Sequence, residues 1–284
     1  MRISIARLAL GLLLLVAGCD RGRPVAAPPS PAPHPDRLTQ VNVINALMLG
    51  GYDGVMSLGE LLRHGDLGLG TLDGLDGELI VLDGRAYQAR GDGAVVAVPP
   101  NRTTPFATVI PFRPDGEVPL AGLAGLAGLA ALDARLDAAI GRANHFVALR
   151  ADVALAVVTV RSVPRQDRPY RPLAQVAQAQ RTWTHRDVRG TLVGTRGPSW
   201  SAGLNVPGYH WHFLSDDRRV GGHVLDLRLT AGRVRYDVAE RWEVRFPGAP
   251  GFDALDLARD QRADLHRVES GRAGEAPPAA PPPR

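Results

Sequence analysis

Gly208-Tyr209-His210-Trp211-His212-Phe213-Leu214, followed after a polar turn through Ser215-Asp216-Asp217-Arg218-Arg219 by Gly221-Gly222-His223-Val224-Leu225-Asp226, decides how the rest of the chain is read. Both halves have the composition of strands. Successive strand side chains alternate between faces, so His210 and His212 point the same way. A turn centred between Asp217 and Arg218 sets His212 directly opposite His223, close enough for cross-strand contact. Three neutral imidazoles on one rigid hairpin suit a borderline metal such as zinc. Three protein ligands also leave a position open for water or substrate, as catalytic zinc sites do. A His-x-His pair alone is weak support, because histidines often simply decorate a strand; the third histidine and the Gly-Gly before it strengthen the reading. His34, His64, His145, His185 and His266 have no comparable spacing and receive no chemical role.

Outward from the hairpin, apolar β-rich runs recur at 145–149, 153–163, 190–195 and 234–238. Residues 78–98 alternate around Asp83-Gly84 and Asp92-Gly93, dipeptides that favour hairpin turns, and read as a β-meander. Helices are few. Ser57-Leu58-Gly59-Glu60 is a capping box opening a short helix that ends near Gly65. Leu120, Leu123, Leu126, Leu129, Leu132 and Leu136 form an apolar stripe that predicts one amphipathic helix over 120–140 despite its interior glycines. The fold class is therefore α+β: two domains built on mixed, largely antiparallel β-sheets with few helices, divided near Arg142.

The chain ends carry a different message. Arg2 and Arg7 flank an apolar run over 8–17 that is too short to span a bilayer as a mature helix but suits a signal peptide. The run ends in Leu15-Val16-Ala17-Gly18-Cys19, which resembles the lipobox of bacterial lipoproteins, and Cys19 is the sole cysteine. The expected organisation is a lipoprotein-type signal peptide at 1–19 and a Pro/Ala-rich tether at 20–37. An N-terminal α/β domain follows at 38–142, then a C-terminal zinc-site domain at 143–270 and a Pro-rich tail without core-forming residues at 271–284. Export follows, with the protein anchored to a membrane only through a lipid on Cys19. The net charge of +4 comes from 33 basic residues, all of them Arg and interspersed with acidic ones. No basic stripe interleaved with aromatics is present, which argues against a nucleic-acid partner.

Several ordered segments carry a resemblance. Asn45-Ala46-Leu47, Gly65-Asp66-Leu67-Gly68-Leu69-Gly70-Thr71, Leu75-Asp76-Gly77-Glu78, Thr103-Thr104-Pro105-Phe106-Ala107, Arg161-Ser162-Val163-Pro164-Arg165-Gln166, Gly190-Thr191-Leu192-Val193-Gly194, Asn205-Val206-Pro207-Gly208-Tyr209-His210 and Val268-Glu269-Ser270 resemble the signature segments of the alpha-acetolactate decarboxylase family. They span most of the predicted folded region. The resemblance implies zinc held by His210, His212 and His223, and a site that also contains Glu78, Glu269 and Arg161, with Thr71 a weaker correspondence. It also implies a homodimer and a small 2-hydroxy-3-keto acid as substrate. Trp211 departs from the family, standing where a smaller apolar residue is usual; strand alternation turns it away from the histidines.

The chemistry that follows is loss of carbon dioxide from 2-acetolactate to give acetoin, with a zinc ion as Lewis acid and no organic cofactor. Without the resemblance, Glu78, Glu269 and Arg161 read as ordinary exposed charges. Three histidines beside a carboxylate also fit a zinc hydrolase that activates water, or a lipid-tethered zinc-binding protein without catalysis.

Overall fold

The Asp83-Gly84 pair takes left-handed backbone angles, φ 52° and 69°, and so closes a tight hairpin between β4 (Glu78–Leu82) and β5 (Arg85–Ala89). The Asp92-Gly93 turn returns the chain into β6 (Val95–Ala97), completing the meander expected from the sequence. The computed structural model describes residues 36–120, 128–248 and 250–271. The signal-peptide and lipobox segments, the tether up to residue 35 and the tail from residue 272 lie outside the described residues, as do Leu123 and Leu126.

The meander belongs to a seven-stranded mixed sheet. Its remaining strands are β1 (Arg37–Val41), β3 (Leu67–Thr71), β8 (Phe106–Ile110) and β14 (Arg241–Arg245), in the order β14-β1-β8-β3-β4-β5-β6. Only β1 and β14 run parallel. Against one face sit the short pair β2 (Met56–Ser57) and β7 (Thr103–Thr104) and α2 (Leu58–Leu61), with Leu58 and Leu61 buried beside Leu79, Val81, Ala107 and Val109; α1 (Ile44–Met48) packs instead with Phe106, which alternates to the other face. The Ser57 hydroxyl accepts the Glu60 amide at the start of α2, the predicted cap.

The second sheet is antiparallel and contains β9 (Gly116–Pro119), β10 (Val147–Ser162), β11 (Arg181–Gly197), β12 (Gly208–Ser215) and β13 (Gly221–Val238). β13 pairs with β12 at its start and with β10 along most of its length, so β10, β11, β12 and β13 close into a ring. The runs at 145–149 and 153–163 that read in the sequence as separate strands are one long strand, and so are the hairpin strand that begins at Gly221 and the run at 234–238. Register shifts around Ala154, Leu155, Val157 and Thr159 bend β10 against β13 without ending either.

The helix expected over 120–140 is shorter: α3 spans Leu129–Ile140. Leu120 extends the β9 edge instead, its amide bonding to the Gly232 carbonyl, and Gly128 has φ 91°, outside the helical region. Leu132 and Leu136 remain one buried stripe against Leu192, Trp211 and Phe213. The remaining helices, α4 (Leu173–Val176), α5 (Pro250–Asp253) and α6 (Arg262–Ser270), lie in the connections after β10 and β14.

Residue 142 lies in the connection between α3 and β10, and strands cross it both ways. β9, from before it, pairs with β13, while β14, from after it, pairs with β1. At this interlock Asp237 is fully buried; its Oδ2 accepts the Arg113 amide at 2.6 Å and its Oδ1 has no partner. Burial pushes its carboxyl up to about 7, the Arg113 amide opposes, and Asp115 and Asp36 add to the rise. A folded-state value above the unfolded one means that the contribution of Asp237 is complete below about pH 4 and is lost as pH rises through about 7. Asp237→Asn can keep the Arg113 bond and removes the buried charge. It is expected to stabilise the protein by about 1–2 kcal/mol at pH 8 and by little at pH 5. Thermal unfolding across pH 5 to 8 checks this; a gain independent of pH would contradict the assignment.

Candidate functional site

The closing of the strand ring sets three chemical groups in one cross-strand row. Arg161 on β10 is the register partner of His223 on β13, and His223 is the register partner of His212 on β12. The pairing of His212 with His223 is the one expected from the turn. His210, two residues before His212, shares its face; the ring centroids of the three histidines lie 4.9 to 5.6 Å apart. Tyr209, Trp211 and Phe213 alternate to the opposite face and pack in the α3 core, as alternation requires. Trp211 stacks parallel to Tyr209, lies over Gly194, where a Cβ would come within 2.3 Å of its ring, and donates its indole N–H to Asp133 of α3 at 3.1 Å.

All three histidines are buried and offer ligand atoms within 4.8 Å of one another. Two of the rings are fixed by backbone carbonyls. His212 Nδ1 lies 2.9 Å from the Leu79 carbonyl and His223 Nε2 lies 2.9 Å from the Glu269 carbonyl. Each N–H then donates outward, leaving His212 Nε2 and His223 Nδ1 as lone-pair nitrogens facing inward. Both inward nitrogens are buried without a hydrogen-bond partner, and so is Glu269 Oε2. Unpaired buried polar atoms are costly, and three converging on one point have the donor chemistry of a divalent-cation site.

The facing sheet supplies the other groups. Thr71 and Glu78 are register partners on β3 and β4. The Thr71 hydroxyl donates to the Gly77 carbonyl at 2.7 Å. Arg161 Nη1 donates to Glu78 Oε1 at 2.9 Å in an ion pair whose side chains are only 5% and 8% exposed, while Glu78 Oε2 lies 3.5 Å from His212 Nε2. Glu269 arrives on α6, its Oε2 3.5 Å from His210 Nε2 and 3.8 Å from His223 Nδ1. The structure thus brings together all the side chains named from the sequence: Thr71, Glu78, Arg161, His210, His212, His223 and Glu269.

Burial dominates the electrostatics. It lowers His210 to about 3, and takes His212 and His223 well below the ordinary histidine range, with Arg161 adding to the effect on each. The imidazoles are therefore neutral and able to coordinate. Burial pushes both Glu78 and Glu269 up to about 7 against the pull of Arg161.

The family model for alpha-acetolactate decarboxylase matches residues 38–259. The chain belongs to the alpha-acetolactate decarboxylase family. It is 42% identical to alpha-acetolactate decarboxylase of Methanosarcina mazei over 82% of this chain and 80% of that protein. It is 41% identical to that of Methylococcus capsulatus over 84% of this chain and 92% of the other. The solved structure of alpha-acetolactate decarboxylase from Bacillus subtilis strain 168 superimposes with a TM-score of 0.79 at 31% identity, covering 83% of this chain and 100% of that one. Glu269 lies beyond the span of the family match; α6 carries it into the site.

Sequence reasoning missed two kinds of participant. The Leu79 and Glu269 carbonyls that orient the histidines are backbone groups, which no side-chain motif announces. The apolar wall beside Arg161 comes from α1, α4 and α6, including Leu47, Leu173 and Val268; Leu47 and Val268 lie in signature segments, whereas Leu173 lies in none. The Arg161–Glu78 pair has a direct test. Arg161→Met strands a buried carboxylate and is expected to cost about 3 kcal/mol of stability at pH 8, much of it recovered by adding Glu78→Gln. Urea unfolding of the four proteins in this cycle measures the coupling, and a value near zero would remove the ion pair from the account.

Proposed function

We propose that this protein decarboxylates 2-acetolactate to acetoin and carbon dioxide at a zinc centre held by His210, His212 and His223. The observation carrying the reading is the convergence of His212 Nε2, His223 Nδ1 and Glu269 Oε2, all buried and unpartnered, beside the Arg161 guanidinium. Zinc bound there would act as a Lewis acid, stabilising the negative charge that develops on the substrate's ketone oxygen.

The chain's own residues then divide the remaining work. Arg161 is fixed by Glu78, and its Nε is a buried donor without a partner. That donor and the rest of the guanidinium are the groups available to hold the substrate carboxylate and aim it for departure. Lys, with a single compact ammonium, cannot reproduce this geometry. Glu269 faces the same point as the inward histidine nitrogens and is the carboxylate suited to completing the metal shell. Glu78, tied to Arg161 and near 7, is suited to storing the proton that replaces carbon dioxide on carbon. The wall contributed by α1, α4 and α6 excludes water from the carbanion-like centre.

The reading extends to export and lipid anchoring through Cys19, which metabolic labelling with a radioactive fatty acid and the Cys19→Ala variant would test. For the reaction itself, purified protein is expected to form acetoin from racemic acetolactate, to lose activity to a chelator and to regain it with zinc. Arg161→Ala is expected to lower kcat by about 10²- to 10³-fold while zinc content is unchanged. Wild-type turnover in that variant would overturn the role of Arg161. A zinc-loaded protein that hydrolysed esters or amides and made no acetoin would favour the hydrolase alternative.

A further inference from the structure

The cavity beside the histidines has two unlike halves. Thr71, Glu78, Arg161, His210 and Glu269 supply its polar part; apart from Gly70, the rest of the lining is aliphatic and aromatic. The cavity has about 40 Å³ of free space, room for about three waters. A substrate with a hydroxyl, a ketone and a carboxylate on adjacent carbons exhausts the polar half, so its alkyl groups must lie against the apolar one.

That apolar half has two origins. Leu75, Phe106 and Val163 come from segments that also carry Glu78, the β8 pairing and Arg161, so their places follow from the sheet. Leu47 and Leu173 come instead from α1 and α4, short helices that pack on each other, with α4 also packed on α6. Both leucines are about 5% exposed, and neither neighbours a polar residue of the site in sequence. They form a roof carried on elements other than the strands that hold the histidines and the ion pair, with Glu269 the site residue nearest to it through the packing of α4 on α6.

We propose that Leu47 and Leu173 are specificity-determining residues that limit the alkyl group accepted on the substrate carbon bearing the hydroxyl and carboxylate, admitting methyl and disfavouring anything longer. This rests on the decarboxylase reading above. One methylene against a close-packed apolar wall is worth about 10- to 200-fold in discrimination, so the two leucines set a measurable preference between acetolactate and its ethyl homologue, 2-aceto-2-hydroxybutyrate.

The test uses the full-length, zinc-loaded protein and compares kcat/KM for the two substrates in wild type, Leu47→Ala, Leu173→Ala and the milder Leu173→Val. Val176→Ala serves as the control; Val176 is fully buried on the same helix but does not line the cavity. Inhibition constants for 2,3-dihydroxy-2-methylbutanoate and its 2-ethyl counterpart, which keep the hydroxyl and carboxylate but have no ketone to receive electrons, read the same preference without turnover. Wild type is expected to favour the methyl substrate by about tenfold or more. Both alanine variants should narrow that gap about tenfold, Leu173→Val by less, and the inhibitor pair should shift in parallel. Val176→Ala should lower thermal stability and leave the ratio unchanged. Equal losses on both substrates in the leucine variants, or a shift of the same size in Val176→Ala, would overturn the proposal. A wild-type protein that decarboxylates neither substrate would instead sink the reading of the reaction, and this proposal with it.

Discussion

The pairing of β13 with β10 on one side and β12 on the other is the constraint from which the site follows. Once that ring closes, Arg161, His223 and His212 have no freedom of placement: they are neighbours in a single row, on strands about 4.8 Å apart. A slip of one residue in either pairing would turn the histidines or the arginine to the other face. The register is guarded from behind, because the residues alternating with the histidines are Tyr209, Trp211 and Phe213. All three are committed to the core beneath α3, and Trp211 is tied by its indole N–H to Asp133. The packing of one face thereby fixes the chemistry of the other.

The electrostatic arrangement is compatible with that rigidity only because the buried groups compensate one another. One guanidinium lies among two carboxyls and three imidazoles, and desolvation keeps the imidazoles neutral while raising both carboxyls toward 7. A cation added at the inward nitrogens would reverse the balance, favouring ionised carboxylates beside it. The unpartnered atoms of the site make sense in this light, since a structure satisfied without a cation would have paired them internally.

The features legible in the sequence were the local ones. His-x-His alternation, the turn centred at Asp217-Arg218 and the Asp83-Gly84 hairpin each depend on a few adjacent residues, and each appears as expected. The closing of the ring was not legible, because β10 and β13 meet across about eighty residues and no local pattern records the partner of a strand. The same limit split both strands into shorter runs: Arg150 and Asp152 interrupt the apolar pattern of β10 although they pair continuously with β13, and β13 looks broken at Thr230-Ala231-Gly232-Arg233. Leucine spacing at 120–140 suggested a helix from its start, yet Leu120 was already committed to the strand edge beside Gly232. Glu78, Arg161 and Glu269 could be named only through the family resemblance; nothing in their own neighbourhoods distinguishes them from surface charges. The apolar roof was only half visible: Leu47 lies in a segment that resembles the family's, whereas Leu173 looks like any core leucine.

The exchange of β9 and β14 between the sheets bears on how the protein comes into being. β1 is among the first segments of the folded region to be synthesised, yet its parallel partner β14 is among the last, and Glu269 follows later still. The seven-stranded sheet cannot be completed until β14 has been made, so β1 must keep one flank open while nearly all of the chain is synthesised. The order of synthesis then acts as a quality check. A chain that stops short of α6 lacks Glu269 and the carbonyl that orients His223, and without β14 it also exposes the flank of β1. Incomplete copies thus lack part of the site and present an unpaired strand edge.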